Sequence, residues 1–344
     1  MTAAAKGCPC RGAVDYGSTT TEVLPSTVPR LLKTACEPAI GTRPIILPRY
    51  LPVAPINGLK TTLRMRMSRT EYSSPVDLSA EDLKVFMETH IEKHYRLIDV
   101  RQPAEYRHGH IPGAVLVPLL EFESSLFDLP ADQDLIFYCS NGARSMTAAT
   151  LALDAEVTKR VIYNLVGGIM NWYGRTLAEF PRVRVFDTAK GITDLLHTAM
   201  NLEKGAWRFY AAVAKRHETE PFAETFEVLT KAENIHAQTI YSIWASHTAE
   251  PPAFEDLFAG LSGDILEGGE TLDAVLDRVK SLTDRTCLNL IELALRIEYS
   301  ALDLYRTMAE KTLEPQARDT LLAVAQAEKA HMRVLTRAIE TCPE

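Results

Sequence analysis

The sequence predicts a multidomain protein: an α/β domain built on a parallel sheet, followed by an all-α four-helix bundle. Three observations predict it. Short apolar runs rich in strand formers alternate with helical patterns over residues 71–187, and one of them ends in the loop CSNGARS, Cys139 to Ser145. From Gly191 onward strand signals vanish and four apolar stripes of period near 3.6 take over, within a region spanning 188–344. Ahead of both, residues 1–70 hold Pro25, Pro29, Pro38, Pro44, Pro48, Pro52 and Pro55 and no sustained periodicity, so they read as a separate extension.

That extension carries ten basic residues against three acidic ones, a surplus of seven, which leaves −15 on the remainder of a chain of net charge −8. Pro and Arg interrupt its apolar pieces, so no secretory core is present. It is expected to be a disordered tail, or upstream translation ahead of a start at Met65 or Met67. Cys8-Pro9-Cys10 has no second pair and is weak evidence for a metal. At 344 residues the chain is long enough for two cores, and no run approaches the about 18 apolar residues of a membrane span. Neither a membrane nor a nucleic-acid partner is expected. The six cysteines (8, 10, 36, 139, 287, 342) show no disulfide-like rhythm, and a reactive thiol needs a reducing compartment, so a cytoplasmic location is expected.

Taken in order, Ser79 is a plausible N-cap with Asp82 three residues on, opening a helix to about Thr89. Strands are predicted near Arg96 to Val100, Ala114 to Val117, Leu135 to Cys139 and Val161 to Leu165. The last apolar helical pattern of this half, Met146, Ala149, Leu151 and Leu153, follows the cysteine loop directly, making that loop a strand-to-helix turn. Phe180 to Lys190 reads as the linker.

Such a turn aims the N–H groups around Ser140, Asn141, Gly142, Ala143 and Ser145, and the positive end of the helix, at one point. Gly142 permits a backbone conformation that a side chain would oppose, and Arg144 supplies a fixed cation. Cys139 in that cradle is expected to have a depressed pKa and to act as a thiolate nucleophile. Phosphate-ester hydrolysis and sulfur transfer both use such a cysteine. Phosphatase-type loops place five residues between Cys and Arg; here four intervene, which favours a cradle for one sulfur atom. For the motif alone, a buried structural cysteine beside a helix start is the competing reading.

The flanks add Leu97-Ile98-Asp99-Val100-Arg101, Glu105-Tyr106, His108-Gly109-His110-Ile111-Pro112-Gly113-Ala114 and, downstream, Gly167-Gly168 with Trp172. In these ordered motifs, DVR, GHIPGA, CxxGxR and GGxxxW, the stretch from about Ser74 to Asp187 resembles the rhodanese family of sulfurtransferases. The resemblance implies that Cys139 accepts sulfane sulfur from a small-molecule or protein donor and passes it to an acceptor, with Arg144 and the loop amides holding the anionic persulfide. Asp99, Arg101 and Glu105 are expected to form a structural ion-pair cluster.

The four stripes of the second half run from Ile192 to Val213, Phe222 to Trp244, Cys287 to Tyr305 and Leu321 to Ile339. Inside them, where apolar residues belong, stand Glu203, Glu233 with His236, Glu298, and Glu328 with His331. Glu203 to Glu233 is 30 positions and Glu298 to Glu328 is again 30, while Tyr210 and Tyr305 each follow their Glu by seven. Glu and His at i, i+3 share a helix side. Four helices would thus aim four carboxylates and two imidazoles at one point, a burial whose cost a dinuclear metal site offsets. Exposed E-x-x-H pairs are common on solvated helices; two copies at matching offsets on apolar faces are not.

In this repeat the stretch from about Thr188 to Glu340 resembles the rubrerythrin branch of the ferritin-like superfamily. The resemblance implies two iron ions held by Glu203, Glu233, His236, Glu298, Glu328 and His331. It departs in two ways: there is no paired C-x-x-C rubredoxin site, so the electron donor is unknown, and Leu295 stands where relatives often carry a further Glu one turn before the third-helix ligand. Residues 246–281 fit the crossover between hairpins, with a short helix at about Leu272 to Val279. Cys287, roughly 16 Å along the helix from Glu298, reads as a small core residue, and Cys342 as a frayed, exposed thiol.

The expected function is a sulfurtransferase carrying a Cys139 persulfide, coupled to a di-iron bundle that handles oxygen, peroxide or electrons and protects the sulfur carrier from oxidation. The alternative is an iron-binding or storage protein whose rhodanese module senses or docks without turnover. Whether bundles pair into homodimers, as ferritin-like relatives commonly do, is left open by the sequence.

Overall fold

The computed structural model describes residues 73–186 and 191–342, which belong to one compact unit. The readings made for the N-terminal extension, including Cys8-Pro9-Cys10 and a start at Met65 or Met67, lie outside the described residues.

The first layer alternates β1 (Val76–Leu78), α1 (Ala80–Thr89), β2 (Tyr95–Asp99), α2 (Pro103–His108), β3 (Val115–Leu116), α3 (Phe122–Ser125), β4 (Asp134–Tyr138), α4 (Ala143–Asp154) and β5 (Ile162–Leu165). Its five strands form one sheet in the order β1-β5-β4-β2-β3, every pair parallel. All five residues of central β4 are buried, as expected of a strand covered on both faces. Ser79 caps α1 by accepting the Asp82 N–H at 3.1 Å. β1 was not expected, because three residues are too few to show an alternation.

The second layer is a bundle of α5 (Ile192–Arg216), α6 (Ala223–Ser246), α9 (Thr286–Lys311) and α10 (Pro315–Ala338), with α7 (Phe254–Gly260) and α8 (Leu272–Ser281) in the crossover. The short helix predicted at 272–279 is α8; α7 was missed, being two turns long and lying directly after Pro251-Pro252. Two apolar clusters fill the bundle. Along α5, α6 and α9, Glu203, Glu233 with His236, and Glu298 mark the boundary between them.

Cys287 is buried in the core as expected, but it forms a disulfide with Cys342, Cα atoms 5.5 Å apart, which corrects the reading of Cys342 as a frayed, exposed thiol and of the cysteines as unpaired. Antiparallel α9 and α10 bring the start of one helix beside the end of the other. A separation of 55 residues in sequence does not reveal such a meeting.

The two layers share a buried joint. Glu92, 2% exposed, pairs with Arg306 at 2.8 Å and with Lys329, and accepts the Tyr95 hydroxyl at 2.5 Å. Asp303 of α9 accepts the Gly113 N–H at 2.8 Å and lies 3.0 Å from His110 Nε2, so the GHIPGA segment is fastened to the bundle.

Candidate active site and metal centre

β4 delivers Cys139 to the carboxyl edge of the sheet, where open α/β sheets place their ligands. Gly142 caps α4 in the left-handed region at φ +95, and a Cβ there would stand 3.2 Å from the Leu165 carbonyl. This lets its N–H point back at Cys139 Sγ, 3.1 Å away. Ser145 Oγ is 3.5 Å from the same sulfur and 2.7 Å from Asn164 Oδ1 of β5. Burial alone would push the thiol up; the Ser145 hydroxyl and the N–H groups of Ser145, Asn141 and Gly142 outweigh it and hold Cys139 below the ordinary thiol range.

The other loop residues divide their work. Ala143 donates its N–H to Asn141 Oδ1 at 3.2 Å, which shapes the loop instead of facing the sulfur. Arg144 is bound bidentately to Glu105 at 2.8 and 2.7 Å, and Ser140 Oγ bridges the pair. The guanidinium carries its charge close enough to interact with Cys139, and its hydrogen bonds pull the Glu105 carboxyl down to about 2. Glu105 therefore does not join the expected cluster. Asp99 and Arg101 pair with each other at 2.7 Å, buried, whereas the capping box of α2 turns Glu105 toward the cysteine loop. Gly168 explains the GG motif: a Cβ there would fall 2.3 Å from the Cys139 carbonyl, which the Ile169 N–H binds at 2.8 Å.

In the bundle the structure brings all six sequence-predicted residues together. Glu233, His236, Glu328 and His331 are buried, and each offers a ligand atom within 4.8 Å of the others. His236 Nδ1 lies 3.2 Å from both Glu203 and Glu233 and 3.5 Å from Glu328; His331 Nδ1 lies 3.2 Å from Glu233, 3.0 Å from Glu298 and 3.1 Å from Glu328. The two rings stack with centroids 4.6 Å apart. The tyrosines of the repeat cross over: Tyr210 of α5 donates to Glu298 of α9, and Tyr305 of α9 donates to Glu203 of α5.

Burial pushes Glu203 up to about 8 and drives Glu298 well above the carboxylate range. Burial also opposes charge on His236 and His331, but the surrounding carboxylates outweigh it and hold both imidazoles well above their ordinary value. The site thus calls for positive charge that protons only partly supply. Glu203 Oε2 and His236 Nδ1 are buried and face each other at 3.2 Å without the alignment of a hydrogen bond. Mixed carboxylate and imidazole donors with free lone pairs fit a first-row transition metal, and this donor set is that of di-iron bundles. Sequence reasoning missed one buried acid here, Glu267 of the crossover, 2% exposed, whose Oε2 also lacks a partner.

Residues 79–175 match the family described as Rhodanese-like domain, and residues 180–251, which contain Glu203, Glu233 and His236, match the family described as Rubrerythrin. Over 100 residues the chain is 36% identical to "Uncharacterized protein YqhL" of Bacillus subtilis (strain 168), covering 28% of this chain and 78% of that protein. It is 36% identical over 76 residues to "Sulfurtransferase" of Allochromatium vinosum, covering 22% and 69%. It is 32% identical over 107 residues to "Thiosulfate:glutathione sulfurtransferase" of Saccharomyces cerevisiae, covering 27% and 75%. The rubrerythrin match carries iron binding with it, and the Glu and His cluster of the bundle is the candidate place for it. On its motifs, its parallel sheet and these matches, the chain belongs to the rhodanese-like family and carries that module fused to a rubrerythrin domain.

Proposed function

We propose that the chain is a sulfurtransferase that carries sulfane sulfur as a persulfide on Cys139, and that its bundle binds two iron ions. The observation that carries the first half is the donor cradle around Cys139 Sγ with Arg144 beside it. The thiolate attacks the outer sulfur of thiosulfate; the sulfur–sulfur bond breaks and sulfite leaves with its electron pair. An acceptor thiolate then attacks the outer sulfur of the persulfide and returns Cys139 as thiolate. The loop N–H groups and the Ser145 hydroxyl hold negative charge on sulfur in both steps. A persulfide donor serves by the same displacement. The resemblance to a thiosulfate:glutathione sulfurtransferase supports this donor and acceptor class. With thiosulfate and a small thiol acceptor, C139S is expected to fall to the uncatalysed rate; a wild-type chain without turnover on thiosulfate or a persulfide donor overturns the reading.

In the bundle, Glu203, Glu233, His236, Glu298, Glu328 and His331 would hold the irons. Bound there, iron would supply chemistry with oxygen, peroxide or electrons. Tyr210 and Tyr305 orient the carboxylates Glu298 and Glu203. The bundle would reduce peroxide to water with two protons and two electrons, the electrons coming from an external donor, and so spare the oxidisable Cys139. An E233A/H236A variant is expected to lose both irons and to leave Cys139 more readily oxidised by peroxide. Equal resistance in variant and wild type would overturn the coupling.

A further inference from the structure

Glu267 stands in the turn between α7 and α8, a segment folded back on itself. Leu266 N–H donates to Glu270 O at 2.9 Å and Leu272 N–H to Asp264 O at 2.8 Å. The turn is pressed onto α5 so closely that a Cβ on Gly205 would fall 2.4 Å from the Ile265 carbonyl. Asn201 accepts the Gly263 N–H at 3.0 Å, and Arg208 reaches Asp264 at 2.8 Å. On its other side the turn meets α9, where the Cβ position of Gly268 is 3.6 Å from Ser300 Oγ. Leu266, beside Glu267, packs into the same apolar cluster as Tyr210 and Ile297. The residues flanking Glu267, Ile265 and Gly268, therefore meet α5 at Gly205 and α9 at Ser300, within one helical turn of Glu203 and Glu298 along the bundle.

A buried carboxylate with an unpartnered oxygen is costly unless something cationic meets it. Burial, and then the charges of Glu203, Glu233 and Glu328, push the Glu267 carboxyl well up, so it lies in the field of the cluster itself. Tyr210 and Tyr305, which hold Glu298 and Glu203, feel the Glu267 charge as well. Meanwhile Leu295, one turn before Glu298 on α9, brings an apolar side chain that packs against both bundle clusters. Four carboxylates balance two divalent ions; when the ions become trivalent a fifth anionic donor reduces the surplus charge.

We infer that Glu267 is a further carboxylate ligand of the bundle's metal centre, supplied by the crossover turn rather than by the four helices. This rests on the di-iron reading given above. The alternative is a neutral acid buried for packing. Glu267→Gln separates the two, since the amide reproduces a neutral acid in size and hydrogen bonding but is a poor ligand.

The test is anaerobic titration of the full chain with Fe(II), reading bound metal per chain and the dissociation constant of each ion, with Cys139-dependent sulfur transfer as the folding control. Wild type is expected to bind two ions. E267Q is expected to keep sulfur transfer and to bind the weaker ion about 10–100-fold less tightly or to lose it. Wild type and E267Q alike at two ions with equal constants would overturn the assignment while leaving the di-iron site standing. A wild-type chain that binds none would overturn the di-iron reading and this inference with it. If E267Q does not fold, Glu267→Asp, which keeps the charge but withdraws it by one methylene, is read in the same way.

Discussion

The Ser145 hydroxyl is one of the donors that hold the Cys139 thiol below its ordinary range. The nucleophile is the charged form of Cys139, so a donor to Sγ lowers the pKa, and sulfur transfer rises as pH passes through that value from below. Ser145→Ala keeps the backbone N–H but removes the hydroxyl 3.5 Å from Sγ. Its pH–rate midpoint is expected to move up by about one unit, the scale of one hydrogen bond to a charged group. A profile that stays in place, or moves down, refutes the role of the hydroxyl. Glu105→Gln frees Arg144 from its bidentate partner, and the expected outcome is a larger rise in KM for thiosulfate than fall in kcat, because the guanidinium loses its fixed position. At this scale the sequence was informative wherever a residue broke a local pattern. Cys139 follows a strand directly, and Glu203 and Glu298 interrupt apolar stripes. Glu267 breaks no pattern, since it sits in an acidic, glycine-containing turn, and its burial depends on where that turn lands.

The helices of the bundle act through pairs that cross the site. Tyr210 and Tyr305 were visible as a repeat at matching offsets, but a spacing along one helix could not show that each tyrosine serves the other half's glutamate. Tyr210→Phe and Tyr305→Phe are each expected to weaken metal binding by about 10–100-fold, measured by competition with a chelator. Unchanged affinity in both would make the hydroxyls ornamental. The close approach of crossover and α5 sets a second expectation. Gly205→Ala forces the Ile265 carbonyl away and should cost about 1–3 kcal/mol in chemical denaturation, with metal affinity falling alongside if Glu267 moves with the turn. Element type and order followed from periodicity, including α8. β1, α2, α3 and α7 were lost because elements of three to seven residues carry too few positions to show a period.

On the scale of the whole molecule, contacts distant in sequence decide what composition could not. The disulfide closes a loop of 55 residues around α9 and α10; replacing Cys342 by Ser is expected to lower stability by about 4 kcal/mol, the chain-entropy value for such a loop. An equal denaturation midpoint with and without the bond would contradict this. The joint between sheet and bundle was invisible in the sequence as well, because Glu92, Arg306 and Lys329 each look like a solvated charge. They are 2%, 1% and 6% exposed, so the faces that meet are charged, dry and mutually dependent. Glu92→Ala would strand two cations and should cost about 3–5 kcal/mol. The fusion is therefore not severable at the place where its two ancestries meet: cutting there would strip each half of the counterions that make its own surface tolerable. A single heat-absorption peak on warming is the expected calorimetric outcome, and two separate peaks would show that sheet and bundle unfold independently.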